Sequence, residues 1–204
     1  MLFEDTYKTI EKVSEGIFRD KGSKFIAYAY PIRSETEVKN LVSELRSEHP
    51  KARHFCWALR LSPDRSVFKL QDDGEPSGTA GRPILNTILS SDLTNILIVV
   101  VRYFGGTLLG VPGLINAYKM ASSEAIANAE IVERTVNDVY EIEFDYLVMN
   151  DVMRIIKEEQ PETIEQKFDN KCMMLLSIRK SLLTRVLNRL EKIDGLKLSF
   201  LYTA

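Results

Sequence analysis

The chain has 204 residues, 45% of them hydrophobic and 27% charged, with 27 Lys and Arg against 29 Asp and Glu. This is the make-up of an ordinary globular protein of one or two domains. The net charge of −2 excludes a global positive field, so any nucleic-acid surface has to be local. Cys56 and Cys172 lie far apart and in no metal spacing, and read as reduced, buried thiols of a cytoplasmic protein. The start, MLFEDTYKTIEK, is too acidic for a secretory signal, and the longest apolar run is too short for a membrane span.

In chain order, Tyr7 to Phe18 and Ser23 to Ile32 read as strands, with the turn Asp20-Lys21-Gly22 between them. Ser34 with Glu37 forms a capping box for a helix whose apolar face is Val38, Leu41, Val42 and Leu45, and Pro50 stops it. Arg53 to Leu61 alternates as a strand, with Phe55, Trp57, Leu59 and Leu61 on one face. Val67 to Leu70 is a further strand. A glycine-rich loop, DDGEPSGTAGRP from Asp72 to Pro83, leads into a short helix at Ile84 to Leu89.

The run Ile96 to Val101 is a strand buried on both faces, and it delivers Arg102, Tyr103 and Phe104 to a second loop. That loop carries Gly105, Gly106, Gly110 and Gly113, and Pro112 opens a long helix to Ala129. Gly105 and Gly110 have the glycine spacing of a P-loop, but Val111-Pro112 stand where Lys-Ser/Thr belongs, and no dinucleotide fingerprint occurs. The loop is either an anion site at a helix start or a tight turn whose glycines permit close packing. The two long glycine loops are expected to meet in space.

The pattern restarts near Glu133. Tyr140 to Phe144 reads as a strand and Val148 to Glu159 as a helix. Thr163 to Phe168 and Cys172 to Arg179 form a hairpin through Asp169-Asn170. Ser181 caps a helix to about Lys192, and Leu196 to Tyr202 is a last strand. The order β-α-β-β-α-β is the ferredoxin-like unit. The expected fold class is α+β, with one domain over residues 1–134 and a second over 135–204. In the first, helices are expected on one face of a mixed sheet.

Catalytic constellations are sparse. Ser77 and His54 have no triad spacing, and Ser77 is not in a nucleophile elbow. Asp72, Asp73 and Glu75 have the oxygens for a hard cation but read more simply as a solvated turn. His54 and Cys56 are too few for zinc. No catalytic residue, metal site or cofactor is expected. Arg185 and Arg189, at i, i+4, form a basic stripe led by Arg179 and Lys180. Such a stripe tracks phosphates or pairs with nearby acids. The open sheet face carries Glu141, Glu143 and Asp145, which is too acidic for base stacking.

Two stretches resemble the YigZ/IMPACT family: DDGEPSGTAGRPIL from Asp72 to Leu85, and VVRYFGGTLLG running to Gly110 and on through Gly113-Leu114 to Ala117-Tyr118. The whole chain is similar to the bacterial two-domain form, so the extra N-terminal partner-binding domain of eukaryotic members is not expected. The resemblance implies an N-terminal fold like the second domain of ribosomal protein S-five and domain IV of elongation factor G. It implies a C-terminal half like domain V of the same factor. The implied role is translation-associated binding to RNA or the ribosome. Asn116 stands where family members often carry Lys or Arg.

The expected function is therefore non-enzymatic binding, in the cytoplasm, of RNA or the ribosome, with neither DNA specificity nor a membrane partner. The contact surface combines Arg82, Arg102, Gly105, Gly106 and Gly110 with Asp72, Asp73, Glu75, Ser77 and Thr79 of the first loop. Arg179, Lys180, Arg185 and Arg189 add to it from the second domain, and Arg102 is expected to matter most. An enzyme acting on a phosphorylated or nucleotide substrate and a protein–protein adaptor are the alternatives.

Overall fold

The computed structural model describes residues 5–169 and 171–204. They fall into two compact units: Lys8–Arg134, and Thr135–Ala204 together with residues 5–7. β1 (Thr6–Ile10) and β7 (Ile131–Thr135) pair as a two-stranded ribbon.

The first unit is built on β2 (Ser14–Asp20), β3 (Ser23–Pro31), β4 (His54–Leu61), β5 (Val67–Gln71) and β6 (Ile96–Tyr103). They form a five-stranded sheet in the order β2-β3-β6-β4-β5. Every pairing is antiparallel. The sheet is not mixed, and helices cover both faces rather than one. Ile98 and Val100 of β6, with Cys56 and Ala58 of β4, pack on α2 (Gly81–Ser90) and α3 (Gly110–Ala127). On the opposite face, Leu97, Val99 and Val101 join Phe55 and Leu59 against Val38 and Leu45 of α1 (Thr36–Glu48). The reason is in β6 itself: a run apolar at every position strands half its side chains in water unless both faces are covered.

The start of α1 shows half of the expected box. Glu37 Oε1 accepts the backbone N–H groups of Arg33 and Ser34 at 2.8 and 2.9 Å. The Ser34 hydroxyl, however, accepts from Thr36 N–H at 3.2 Å.

The second unit contains β8 (Asn137–Phe144), α4 (Met149–Glu159), β9 (Glu162–Phe168), β10 (Cys172–Arg179), α5 (Leu183–Leu190) and β11 (Lys197–Thr203). Its sheet order is β11-β8-β10-β9, all antiparallel, which is ferredoxin-like. Ile142, Phe144, Met174, Leu176 and Ile178 face Val152, Ile155, Val186 and Leu190 of the two helices. Asn170, expected in the β9–β10 turn, lies outside the described residues. Ser181 does not cap α5. It sits in a short 3-10 turn, Lys180–Leu182, and its backbone N–H donates to Asp5 at 3.3 Å.

Asp5 also explains why residues 5–7 go with the second unit rather than the first. Its carboxylate takes Arg179 Nε and Nη2 at 2.6 and 2.9 Å. The hydrogen bond from Arg179, reinforced by Ser181, holds the Asp5 carboxyl well below the usual carboxylate range. A carboxylate depressed in the folded state adds stability above its unfolded pKa, about 3.9, and loses it as pH falls toward the folded value. Asp5→Asn is therefore expected to destabilise the second unit at neutral pH, by an amount that shrinks as pH drops below about 3.9. Urea unfolding of both proteins over a pH series measures this, and a loss independent of pH would contradict it.

Candidate functional site: a cationic cleft between two glycine loops

The first glycine loop is folded around its own acids. Asp72 accepts from the N–H groups of Gly78, Ala80 and Gly81 at 2.9, 3.1 and 2.8 Å, and so fills the N-terminus of α2 with an internal carboxylate. Asp73 accepts the Phe55 N–H at 2.7 Å and pairs with Arg46 at 2.8 Å. Thr79 is buried and donates to the Pro76 carbonyl at 2.7 Å, while Ser77 is exposed.

Glu75 turns inward. Its side chain is 4% exposed and its Oε1 accepts from Arg102 Nη1 at 2.5 Å and from the Tyr118 hydroxyl at 2.8 Å. Cys56 Sγ lies 3.2 Å from that hydroxyl and 3.0 Å from the Asp72 carbonyl. Burial pushes the Tyr118 phenol and the Cys56 thiol far above their ordinary ranges, so both remain protonated. The three acids thus serve three separate structural tasks and do not converge. Among the described residues, no group of three or more His, Cys, Asp or Glu side chains is placed to hold a metal ion.

The second loop is anchored at its ends. Gly105 N–H donates to the Ser23 hydroxyl at 3.1 Å, and Leu109 enters the core. Between them Gly106 takes a positive φ of 87°, and Leu108 is 82% exposed. Gly110 also has a positive φ, 71°, at the first residue of α3.

The two loops converge. A cleft of about 540 Å³ is lined by Gly74 and Glu75 of the first loop and by Phe104 and Leu108 of the second. Lys51, Arg53, His54, Arg102 and Tyr103 complete the lining. Strand register explains the meeting, because His54 at the start of β4 is the direct partner of Arg102 near the end of β6. His54 Nδ1 donates to the Asp73 carbonyl at 2.9 Å, which leaves its Nε2 for the cleft. His49 sits between the hydroxyls of Tyr28 and Tyr103, at 2.9 and 2.8 Å, and so fixes the Tyr103 wall.

Of the cations expected from the sequence, Arg102 is at the cleft but nearly buried and committed to Glu75. Arg82 is exposed on the first turn of α2. The basic stripe of the second unit is drawn into local pairs. Arg185 and Arg189 reach Glu159 at 2.6 Å each, and Arg189 also pairs with Glu158. Arg179 holds Asp5, and Lys180 lies 3.7 Å from Asp138. Sequence reasoning missed Lys51 and Arg53, both exposed at the cleft. The only signal was the cluster Lys51-Ala52-Arg53-His54 opening β4.

Fold and cleft together define an α+β protein of two units, the first carrying two glycine loops closed on a cationic cleft and the second ferredoxin-like. The chain belongs to the YigZ/IMPACT family: residues 21–126 match the family model of the Impact N-terminal domain. It is 33% identical over 178 residues to an IMPACT family member of Haemophilus influenzae, covering 86% of each chain. It is 37% identical over 128 residues to IMPACT family member YigZ of Escherichia coli, covering 62% of this chain and 63% of that one. A solved structure described as a hypothetical protein matches 97% of this chain and 98% of its own, at 25% identity and a TM-score of 0.74. No helix among the described residues is long and apolar enough to cross a membrane.

Proposed function

We propose that this chain is a translation-associated binding protein that takes RNA, free or within the ribosome, at the cleft between its glycine loops. One observation carries the reading: exposed Lys51 and Arg53 share a cleft with Phe104, an aromatic ring 55% exposed on the glycine loop. Cations beside an open aromatic face suit a single strand, whose phosphates meet the charges while a base stacks on the ring. Family membership supports the link to translation. The paired basic groups of the second unit make it a secondary contributor, because a cation already held by an acid gains less from a phosphate.

The test is fluorescence anisotropy with labelled RNA oligomers over a salt series, with ribosome co-sedimentation alongside. Few contacts imply modest affinity and a shallow slope, about 0.7 in log affinity per log salt for each phosphate met. Replacing Lys51 and Arg53 together by Glu is expected to abolish binding to all sequences alike. Phe104→Ala is expected to cost about 1–3 kcal/mol of binding. A parent protein that binds no RNA at low salt and does not co-sediment with ribosomes would overturn the reading.

A further inference from the structure

Arg102 is engaged on one edge only. Nη1 donates to Glu75, while Nε is buried and has no hydrogen-bond partner among the described residues. The side chain is 6% exposed and forms part of the cleft lining. A buried guanidinium N–H without an acceptor is costly, and an incoming anionic oxygen relieves that cost. Arg179 shows what the same edge does when it is filled: its Nε and Nη2 hold the two oxygens of the Asp5 carboxylate at 2.6 and 2.9 Å. A phosphate presents the same pair of oxygens.

Depth decides which phosphate fits. Lys51 and Arg53 are exposed, whereas Arg102 is nearly buried. A phosphodiester within a strand carries a sugar on each side and lies along the exposed cations. A terminal phosphate carries one sugar only, so less bulk stands between its oxygens and Arg102. It also brings a charge approaching −2 at neutral pH. The lining meets that charge with Lys51, Arg53 and Arg102 against the single carboxylate of Glu75, which is already bonded by Arg102 and Tyr118.

We propose that the cleft is a receptor for a phosphomonoester, whether at the end of an RNA strand or on a free mononucleotide, seated on the Nε edge of Arg102. This deepens the RNA-binding reading and rests on it for the strand, but not for the mononucleotide.

The experiment compares short labelled RNAs of one sequence with a 5′-phosphate, a 3′-phosphate or hydroxyls at both ends, and adds adenosine monophosphate as competitor. One phosphorylated form is expected to bind about tenfold or more tighter than the hydroxyl form, the gain of one charge-assisted contact. Arg102→Lys keeps the charge beside Glu75 and loses the Nε edge, and is expected to erase the preference. The ratio of the two affinities is the readout, so a general loss of affinity does not mimic the effect. Equal binding of all three RNAs, with no competition by the monophosphate, overturns this inference and leaves RNA binding intact. Binding of the monophosphate without any RNA binding supports the inference and overturns the RNA reading. Binding of neither overturns both.

Discussion

Arg102→Ala is expected to destabilise the Lys8–Arg134 unit by about 3–5 kcal/mol, the usual cost of stripping one partner from a buried ion pair. Glu75 and Arg102 are both nearly closed to solvent, and the pair is held at 2.5 Å. Without the guanidinium, Glu75 keeps the Tyr118 hydroxyl as a neutral donor but loses its counter-charge. The arginine also lies over two rings, 5.4 Å from the centre of Phe25 and 5.7 Å from that of Phe104, so packing is lost as well. Replacing both partners, Glu75→Gln with Arg102→Met, is expected to cost less than the single change, since no charge is then stranded. Urea unfolding of the parent and the two variants measures this. A single-variant loss below about 0.5 kcal/mol, the range of ordinary surface changes, would contradict it. One consequence is practical: Arg102→Ala confounds binding with stability, and Lys51 and Arg53 are the cleaner probes of the cleft.

Gly105→Ala is the second large effect expected, at least about 3 kcal/mol, beyond the usual range for overpacking. A Cβ on Gly105 would stand 1.9 Å from the Gly22 carbonyl carbon and 2.2 Å from Ser23 N. Both are backbone atoms of the β2–β3 turn and cannot rotate away. The neighbouring glycine differs in kind. A Cβ on Gly106 meets nothing within 4 Å, but its φ of 87° disfavours any L side chain. Gly106→Ala is thus expected to cost only about 1–2 kcal/mol, from backbone strain alone. Thermal unfolding of the two variants side by side checks the contrast, and equal losses would mean that the second loop is not pinned to the turn at Gly105.

Much of the architecture was legible because periodicity is local. The doubly buried run of β6, the alternation of β4 and the βαββαβ order of the second unit follow from apolar spacing within each segment. The same property hid the site. Nothing in the spacing of Lys51, His54 and Arg102 reveals that β4 and β6 start their pairing at His54 and Arg102, because register is a relation between strands. The fate of the charged residues was hidden for the same reason. Glu159 captures Arg185 and Arg189 across 26 and 30 positions of sequence, and Asp5 captures Arg179 across 174. The open charge lining the cleft therefore lies with Lys51 and Arg53, which the motif does not include, while the motif's acids hold its loop together. The second helical face was legible in principle, since a strand buried on both sides requires two covers.

Ultraviolet cross-linking of a short uridine-rich RNA to the full chain, followed by peptide mapping, asks where the strand lies. Cross-links are expected on the segment carrying Tyr103 and Phe104, where an exposed ring stands beside Lys51 and Arg53. They are expected to disappear when both cations are replaced by Glu. Cross-links confined to residues 135–204, or unchanged by loss of the two cations, would contradict the assignment of RNA to the cleft.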